Sequence, residues 1–179
     1  YLAVSICSLL KNADSKRFYD IIIMHKDISA ANRVVIRQEA RSPHVKVRFV
    51  DMSEYDEKVS SDVGVYYSVE TNYRLFLFSE LFSAYDRMIY LDCDTVVRHS
   101  LREFWETDLE DKIVAAVDDC RSDRYKTELN LPCDSTYTNN GVLLIDLKSW
   151  REMNVEKDFL DFIIAHNGDI TYVDQGVLN

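Results

Sequence analysis

Two aspartates directly after a short apolar segment are the strongest chemical feature of the sequence. Asp92 and Asp94 flank Cys93 and follow the apolar residues 87–91. In an extended chain, residues i and i+2 project to the same side, roughly 6.6 Å apart, so both carboxylates can reach one ion. Oxygen ligands select a hard cation such as Mg²⁺ or Mn²⁺. The spacing therefore favours a metal site over the alternative, a pair of solvated acids.

The amino-acid composition indicates that a phosphate ligand would need a bound cation as its source of positive charge. Among 179 residues there are 21 Lys and Arg against 31 Asp and Glu, for a net charge of −10, and only 4 Gly. The glycines do not have the spacing of a Gly-rich phosphate-binding loop. The acidic surplus argues against nucleic acid or an anionic membrane surface as a partner.

Polar residues beside other apolar segments are weaker candidates. Asp118 ends the apolar run 113–117, where a functional acid and a solvated one are equally expected. Asn139 and Asn140 precede a glycine and an apolar run. This pattern is most simply a turn, since Asn and Gly tolerate positive φ, and amides that bind a polar ligand are the alternative.

Three further polar residues lie in helical patterns. Arg74 belongs to a mostly apolar helical segment, so a solvated charge on the outer face is the favoured interpretation and contact with an anion is the alternative. Asp174 and Gln175 fit the first turn of a helix, where an acid favours the helix dipole. The sequence shows no Ser-His-Asp or Cys-His arrangement.

Alternating helical and extended patterns predict an α/β fold with a mostly parallel sheet flanked by helices. Ligands of such sheets lie beyond the carboxyl ends of the strands, where Asp92, Asp94 and Asp118 stand. The predicted strands are 18–24, 45–50, 87–91, 113–117 and 141–145, and the predicted helices are 2–12, 29–41, 71–82 and 149–166.

Local signals add detail to these elements. Ser29 is the expected N-cap of the second helix. Capping boxes are predicted to begin at Ser100 and Ser149, each of which is followed three residues later by Glu. The polar segments 51–70 and 119–138 are predicted loops, and loops of this length often cover a site.

Length and cysteine spacing predict one domain in a reducing compartment. A length of 179 residues fits a single domain. The four cysteines lack zinc-site spacing and are interpreted as free, buried thiols of a cytoplasmic protein. No apolar stretch reaches the ~18 residues of a membrane helix. Because the chain begins and ends inside predicted elements, we interpret residues 1–179 as a fragment of a catalytic domain.

Six stretches in a fixed order carry a resemblance over the whole length. They are YLAVSICSLL, ISAANR, TNYRLFLFSELF, RMIYLDCDTVV, TNNGVLLIDLKSWRE and VDQGVLN. With these motifs the chain resembles glycosyltransferase family 8, which includes bacterial lipooligosaccharide galactosyltransferases and the glycogenins. The resemblance implies a nucleotide-diphospho-sugar transferase fold of the GT-A type. It also implies retaining transfer of a hexose from UDP-galactose or UDP-glucose to a hydroxyl of a saccharide or lipid-linked saccharide, as in lipopolysaccharide biosynthesis.

The resemblance further implies roles for individual residues. Asp92 and Asp94 would hold Mn²⁺, or Mg²⁺, against the donor diphosphate, and the backbone of Cys93 would lie beside the ribose. Four residues would contact the donor sugar or its phosphate, namely Arg74, Asp118, Asn139 and Asn140. Asp174 and Gln175 would lie near the reacting carbon, with Asp118 as a further catalytic candidate. The family's uridine-binding turn and its third metal ligand, a His, are expected outside the chain, and Gly176 replaces a usual acid.

Two rival interpretations remain open on the sequence. LDCDTVV also fits the motif of haloacid-dehalogenase-type phosphatases, in which Asp92 would be the nucleophile, and residues 168–174 mimic a later motif of that class. The depth of LDCDTVV in the chain and the other five stretches favour the glycosyltransferase. A sugar-nucleotide-binding domain without turnover is the third alternative.

Overall fold

The computed structural model describes residues 1–53, 73–74, 81–120, 122–166 and 173–179. The chain divides into two compact units, Tyr1–Tyr55 with Leu91–Asp108 and Asp56–Tyr90 with Leu109–Asn179. Most of the predicted loop 51–70 and of the predicted helix 71–82 lies outside the described residues. The expectation of a single catalytic domain stays a prediction.

The first unit contains a pair of parallel strands joined through a helix, as a parallel connection requires. Its elements in chain order are α1 (Leu2–Lys11), β1 (Tyr19–His25), α2 (Ala30–Glu39), β2 (Val45–Asp51) and the short α3 (Arg102–Trp105). Ile23 lies opposite Phe49 in the β1–β2 register. Apolar residues of α1, β1 and α2 form the core of this unit around Ile6, Ile23, Ile36 and Ala40.

A second sheet has three strands, β3 (Arg87–Leu91), β4 (Val114–Asp118) and β5 (Thr138–Asp146), in the order β3-β5-β4. Strands β4 and β5 are antiparallel. The helices that follow are α4 (Ser122–Glu128), α5 (Leu147–Glu152), α6 (Val155–Ala165) and α7 (Val173–Leu178). Their core is the apolar end of β5 with the start of α5, where Leu144, Ile145, Leu147 and Trp150 are fully buried.

The predicted α/β class and all five predicted strands are confirmed, with shifts of a few residues at their ends. Ser29 caps α2 as predicted, since its Oγ accepts from the Asn32 backbone N–H at 3.2 Å. Segment 119–138 is not a continuous loop, because it contains α4. In the described part of the chain, no helix is long and apolar enough to cross a membrane.

Both predicted capping boxes are wrong. Helix α3 begins after Leu101, and Ser100 Oγ accepts instead from the Arg102 backbone N–H at 3.2 Å. Helix α5 begins after Asp146, which takes the capping role three residues before Ser149. The predicted helix 149–166 is divided because Asn154 adopts a left-handed conformation, with φ of 55°, between α5 and α6.

Of the two predictions for the cysteines, the free state is confirmed and the burial is wrong. Cys7, Cys93, Cys120 and Cys133 are free, as the spacing predicted. All four are exposed, so the expectation of buried thiols is wrong. Burial was inferred from residue type alone, and the four positions lie outside the two apolar cores.

Asp146 is the cap whose contribution is most directly testable. Burial raises the pKa of its carboxyl, but hydrogen bonds from the backbone N–H and Oγ of Ser149, each 2.9 Å long, outweigh it and leave the pKa lowered. A lowered folded-state pKa gives stability that is present above the unfolded pKa of about 3.9 and is lost as pH falls through the folded value.

We expect Asp146→Ala to lower the free energy of unfolding by about 1 kcal/mol at neutral pH, because α5 loses its N-cap. The difference from the wild type should begin to shrink below about pH 4, where the unfolded chain binds the proton first, and should be lost as pH falls through the lowered pKa of the folded state. Urea unfolding followed by circular dichroism at pH 7 and pH 3 measures both values. An equal difference at the two pH values would contradict the assignment.

Candidate functional site

The two aspartates of the D-x-D motif lie in a tight turn directly after β3. The Thr95 backbone N–H and Oγ1 both donate to the Asp92 carbonyl, at 3.2 and 2.8 Å. The extended geometry expected for Asp92 and Asp94 is therefore wrong, since the chain turns at Cys93 and Asp94. Asp92 is half-buried, whereas Cys93 and Asp94 are exposed.

Two polar side chains of α1 and that of Asn12, which directly follows the helix, hold the segment that follows this turn. Ser5 Oγ lies 3.3 Å from Thr95 Oγ1. Ser8 Oγ accepts from the Val97 backbone N–H at 2.9 Å, and Asn12 Nδ2 donates to the Val97 carbonyl at 2.9 Å. Residues spaced by three and four lie on one helical face. The contacts themselves were not predicted, although polar residues at this spacing in an apolar helix were the available signal.

Two predicted site residues, Asp118 and Asn139, lie on neighbouring strands next to a β-bulge between β4 and β5. Val117 lies opposite Asn139 and Asp118 opposite Thr138, but Ala116 already pairs with Leu143. Three residues of β5, 140–142, thus have no counterpart on β4. A bulge bends the strand and redirects its side chains. Because β5 runs antiparallel to β4, its start lies beside the exposed carboxylate of Asp118.

The interpretation of Asn139 and Asn140 as a turn is wrong, because both belong to β5. The irregularity that the sequence signalled is the bulge. Asn139 is exposed, and its Oδ1 accepts from the Gly141 backbone N–H at 2.9 Å. Asn140 is only 2% exposed. Of the two amides, therefore, only Asn139 is exposed.

Arg74 supports the bulge from inside the unit. It is helical and only 8% exposed, so the favoured interpretation as a solvated outer-face charge is wrong. Its Nη1 donates to the Asn140 carbonyl at 2.7 Å, and its guanidinium lies 4.7 Å from the centre of the Tyr90 ring. A carbonyl oxygen and an aromatic face are both favourable partners for a buried cation.

Gln175 lies on α7 and reaches an acid next to Asp118. Its Nε2 donates to Asp119 Oδ2 at 3.3 Å. The Asp119 backbone N–H donates to the Tyr137 carbonyl at 2.9 Å, which fixes this acid beside the start of β5. Sequence reasoning gave Asp119 no role of its own. Asp174 also lies on α7, but its side chain is outside the described residues.

The predicted residues thus fall into two groups, one in each unit. The first unit carries Asp92, Cys93 and Asp94. The second unit brings together the start of β5, the end of β4, the buried Arg74 and Gln175 of α7. The exposed carboxylate of Asp118 and the exposed amide of Asn139 are groups that can hydrogen-bond a ligand rich in hydroxyl groups.

The D-x-D turn is the metal-ligand candidate. Among the described residues there is no group of three or more His, Cys, Asp and Glu that could hold an ion. Two carboxylates still fit Mg²⁺ or Mn²⁺, because such sites commonly use one or two carboxylates and complete their coordination with water and substrate phosphates. The donor set therefore fits a cation that is shared with a diphosphate.

Sequence comparison gives a match over the full length. The model of glycosyl transferase family 8 matches residues 1–179. A Haemophilus influenzae protein named as a glycosyltransferase is 33% identical over 184 residues, which cover 100% of this chain and 54% of that protein. A lipopolysaccharide 1,2-glucosyltransferase of Escherichia coli is 26% identical over 99% of this chain and 53% of its own length. The chain thus spans about half the length of these relatives.

Solved structures agree on the fold. The galactosyltransferase LgtC, in complex with donor and acceptor sugar analogues, is 27% identical and superposes with a TM-score of 0.76 over 99% of this chain and 66% of its own. The bifunctional glycosyltransferase WbbM, at 22% identity, superposes with a TM-score of 0.84 over 99% of this chain and 34% of its own. The predicted GT-A fold is confirmed, and the family match disfavours the phosphatase interpretation.

Arg74 offers a stability test of the site. We expect Arg74→Met to lower the free energy of unfolding by about 1.5–3 kcal/mol, since the buried Asn140 carbonyl loses a hydrogen bond from a charged donor. The control is Arg124→Met, because Arg124 forms an exposed ion pair with Glu128 and its loss should cost about 0.5 kcal/mol or less. Urea unfolding of both variants measures the difference. Equal losses would contradict the structural role of Arg74.

Proposed function

Because the chain belongs to glycosyl transferase family 8, we propose that it is a hexosyltransferase that uses a UDP-sugar, UDP-galactose or UDP-glucose, as the donor. The hexose would pass to a hydroxyl acceptor with retention at the anomeric carbon. The observation that carries the proposal is the D-x-D turn of Asp92 and Asp94 in a chain whose whole length matches this family.

The negative charge of the leaving group must be stabilised during the reaction. UDP departs as an anion, whereas the chain carries a net charge of −10 and lacks a Gly-rich phosphate loop. In this proposal Asp92 and Asp94 hold Mn²⁺, or Mg²⁺, and the backbone of Cys93 lies beside the ribose. Such an ion supplies the positive charge that favours cleavage of the bond between the anomeric carbon and the diphosphate. Thr95 stabilises the turn that carries both residues by donating to the Asp92 carbonyl.

The second unit is proposed to bind the hexose. The exposed Asp118 and Asn139 can accept from and donate to sugar hydroxyls, whereas Arg74 and Asn140, implied as sugar or phosphate contacts by the family resemblance, are buried and support this surface from within. Arg74 also keeps the bulge in place through its hydrogen bond to the Asn140 carbonyl. A bulge held by a buried charge is a rigid base for the exposed amide of Asn139.

The reacting carbon is assigned to Asp174 and Gln175, with Asp118 as a further catalytic candidate. Asp119 orients the Gln175 amide, which supports a fixed position for that side chain. Retention is compatible with a covalent carboxylate intermediate and with front-side attack within an ion pair. The proposal includes both routes.

The acceptor is proposed to be a saccharide or a lipid-linked saccharide. The similarity to the lipopolysaccharide 1,2-glucosyltransferase of Escherichia coli supports this class. For such an acceptor, the proposed location is the cytoplasm, where the protein would act in lipopolysaccharide synthesis while bound peripherally to the inner face of the membrane.

We expect Asp92→Asn and Asp94→Asn each to lower Mn²⁺-dependent UDP release by at least about 100-fold, because a neutral amide holds the cation far more weakly than a carboxylate. UDP release by the full-length protein is measured on a panel of UDP-sugars, with and without Mn²⁺. The control is Asp111→Asn, since Asp111 is an exposed acid of the second unit that forms an ion pair with the exposed Lys112. It should leave the rate unchanged.

Different outcomes separate the alternatives. Full activity in both motif variants would refute the assignment of Asp92 and Asp94. A fluoroaluminate or phosphoryl adduct on Asp92, without hydrolysis of any UDP-sugar, would favour the phosphatase. Tight binding of a UDP-sugar without turnover would indicate a non-catalytic binding domain.

A further inference from the structure

One side-chain amide, that of Asn179, makes four hydrogen bonds in the second unit. Its Oδ1 accepts from the Thr138 backbone N–H at 2.6 Å and from Thr138 Oγ1 at 3.0 Å. Its Nδ2 donates to the Thr138 carbonyl at 3.0 Å and to the Gln175 carbonyl at 2.8 Å. A primary amide has two acceptor sites and two donor hydrogens, so the capacity of Asn179 is completely used.

The contact with Thr138 supplies hydrogen bonds on the side of β5 that faces away from β4. Tyr137 uses its carbonyl toward β4, where it accepts from the Asp119 backbone N–H. In an antiparallel ladder the peptide groups of successive residues point to alternate sides. The N–H and carbonyl of Thr138 therefore point away from β4, and Asn179 satisfies both.

This amide lies where three elements of the proposed sugar site meet. Thr138 precedes Asn139 on β5 and pairs with Asp118 on β4. The other bond of Asn179 reaches the backbone of Gln175 on α7. The side chain of Gln175 in turn donates to Asp119. Loss of the amide would release α7 from the start of β5.

We propose that Asn179 is a positioning residue that holds α7 against β5 and so fixes Gln175 relative to Asn139 and Asp118. This inference rests on the hexosyltransferase function proposed above. Asn179 does not need to contact the donor, because its four hydrogen bonds are all made within the protein. Its effect should therefore fall on turnover rather than on donor affinity, since a small misplacement of reacting groups alone can lower a rate about 100-fold.

The test is Asn179→Asp in the full-length protein. The carboxylate keeps the shape and Oδ1, but it sets an oxygen in place of Nδ2 against the Thr138 and Gln175 carbonyls. We expect kcat for UDP-sugar turnover to fall about 10- to 100-fold while the donor KM changes less than about threefold. Thr138→Val removes only the hydroxyl bond to Asn179 and should give a smaller loss of kcat in the same direction.

The matched control is Asn130→Asp, the same chemical change at an exposed residue of the second unit. Asp also tolerates the positive φ of 54° found there, so kcat should not change. Hydrogen exchange of the backbone amides of residues 173–178 provides a second reading that does not depend on the donor. Exchange should rise about tenfold in Asn179→Asp and stay at the wild-type rate in the control.

The outcomes distinguish this inference from the proposed function. A wild-type protein that turns over no UDP-sugar refutes the function, and hydrogen exchange then decides whether Asn179 holds α7. Unchanged exchange in Asn179→Asp overturns the inference. Faster exchange with an unchanged kcat also overturns it, because α7 would then be held without effect on the reaction. A KM that rises as much as kcat falls would indicate donor binding instead of positioning.

Discussion

Irregular backbone in a folded chain must still find hydrogen-bond partners, and each segment of the candidate site obtains them from side chains. Ser8 of α1 and Asn12, which directly follows that helix, form hydrogen bonds with the backbone of Val97 after the D-x-D turn. Arg74 bonds the bulge of β5, and Asn179 bonds its first residue. Without these side chains, backbone N–H and carbonyl groups of the turn and the bulge would lack hydrogen-bond partners, and each such buried group would lower the free energy of unfolding by about 1–3 kcal/mol.

This arrangement separates support from contact with a ligand. The supporting groups are buried or half-buried, whereas Asp94, Asp118 and Asn139 are exposed. The exposed groups can therefore meet a ligand without losing a bond that the fold needs. A chain with a net charge of −10 still requires a cation to bind a diphosphate, and the pair of exposed and half-exposed acids in the D-x-D turn meets that requirement.

The sequence predicted the strands well, because each is a run of apolar or alternating residues that few other structures accommodate. It failed where a partner distant in the chain decides the outcome. Arg74 is buried because it meets Asn140, 66 residues away, and no local pattern contains that contact. Asn139 and Asn140 belong to β5 because the β4–β5 pairing continues across a bulge. Asp146, and not Ser149 as the local spacing predicted, is the N-cap of α5. Family resemblance supplied the site roles that spacing alone left open.

The anomeric configuration of the first product distinguishes a retaining from an inverting hexosyltransferase. The full-length protein is incubated with UDP-galactose or UDP-glucose, both α-linked, and Mn²⁺, and the reaction is followed by proton NMR from its first minutes. We expect release of UDP that depends on the divalent ion, with the transferred or released hexose appearing first as the α anomer. A β anomer as the first product, or an equal rate of UDP release with the divalent ion removed by a chelator, would contradict it.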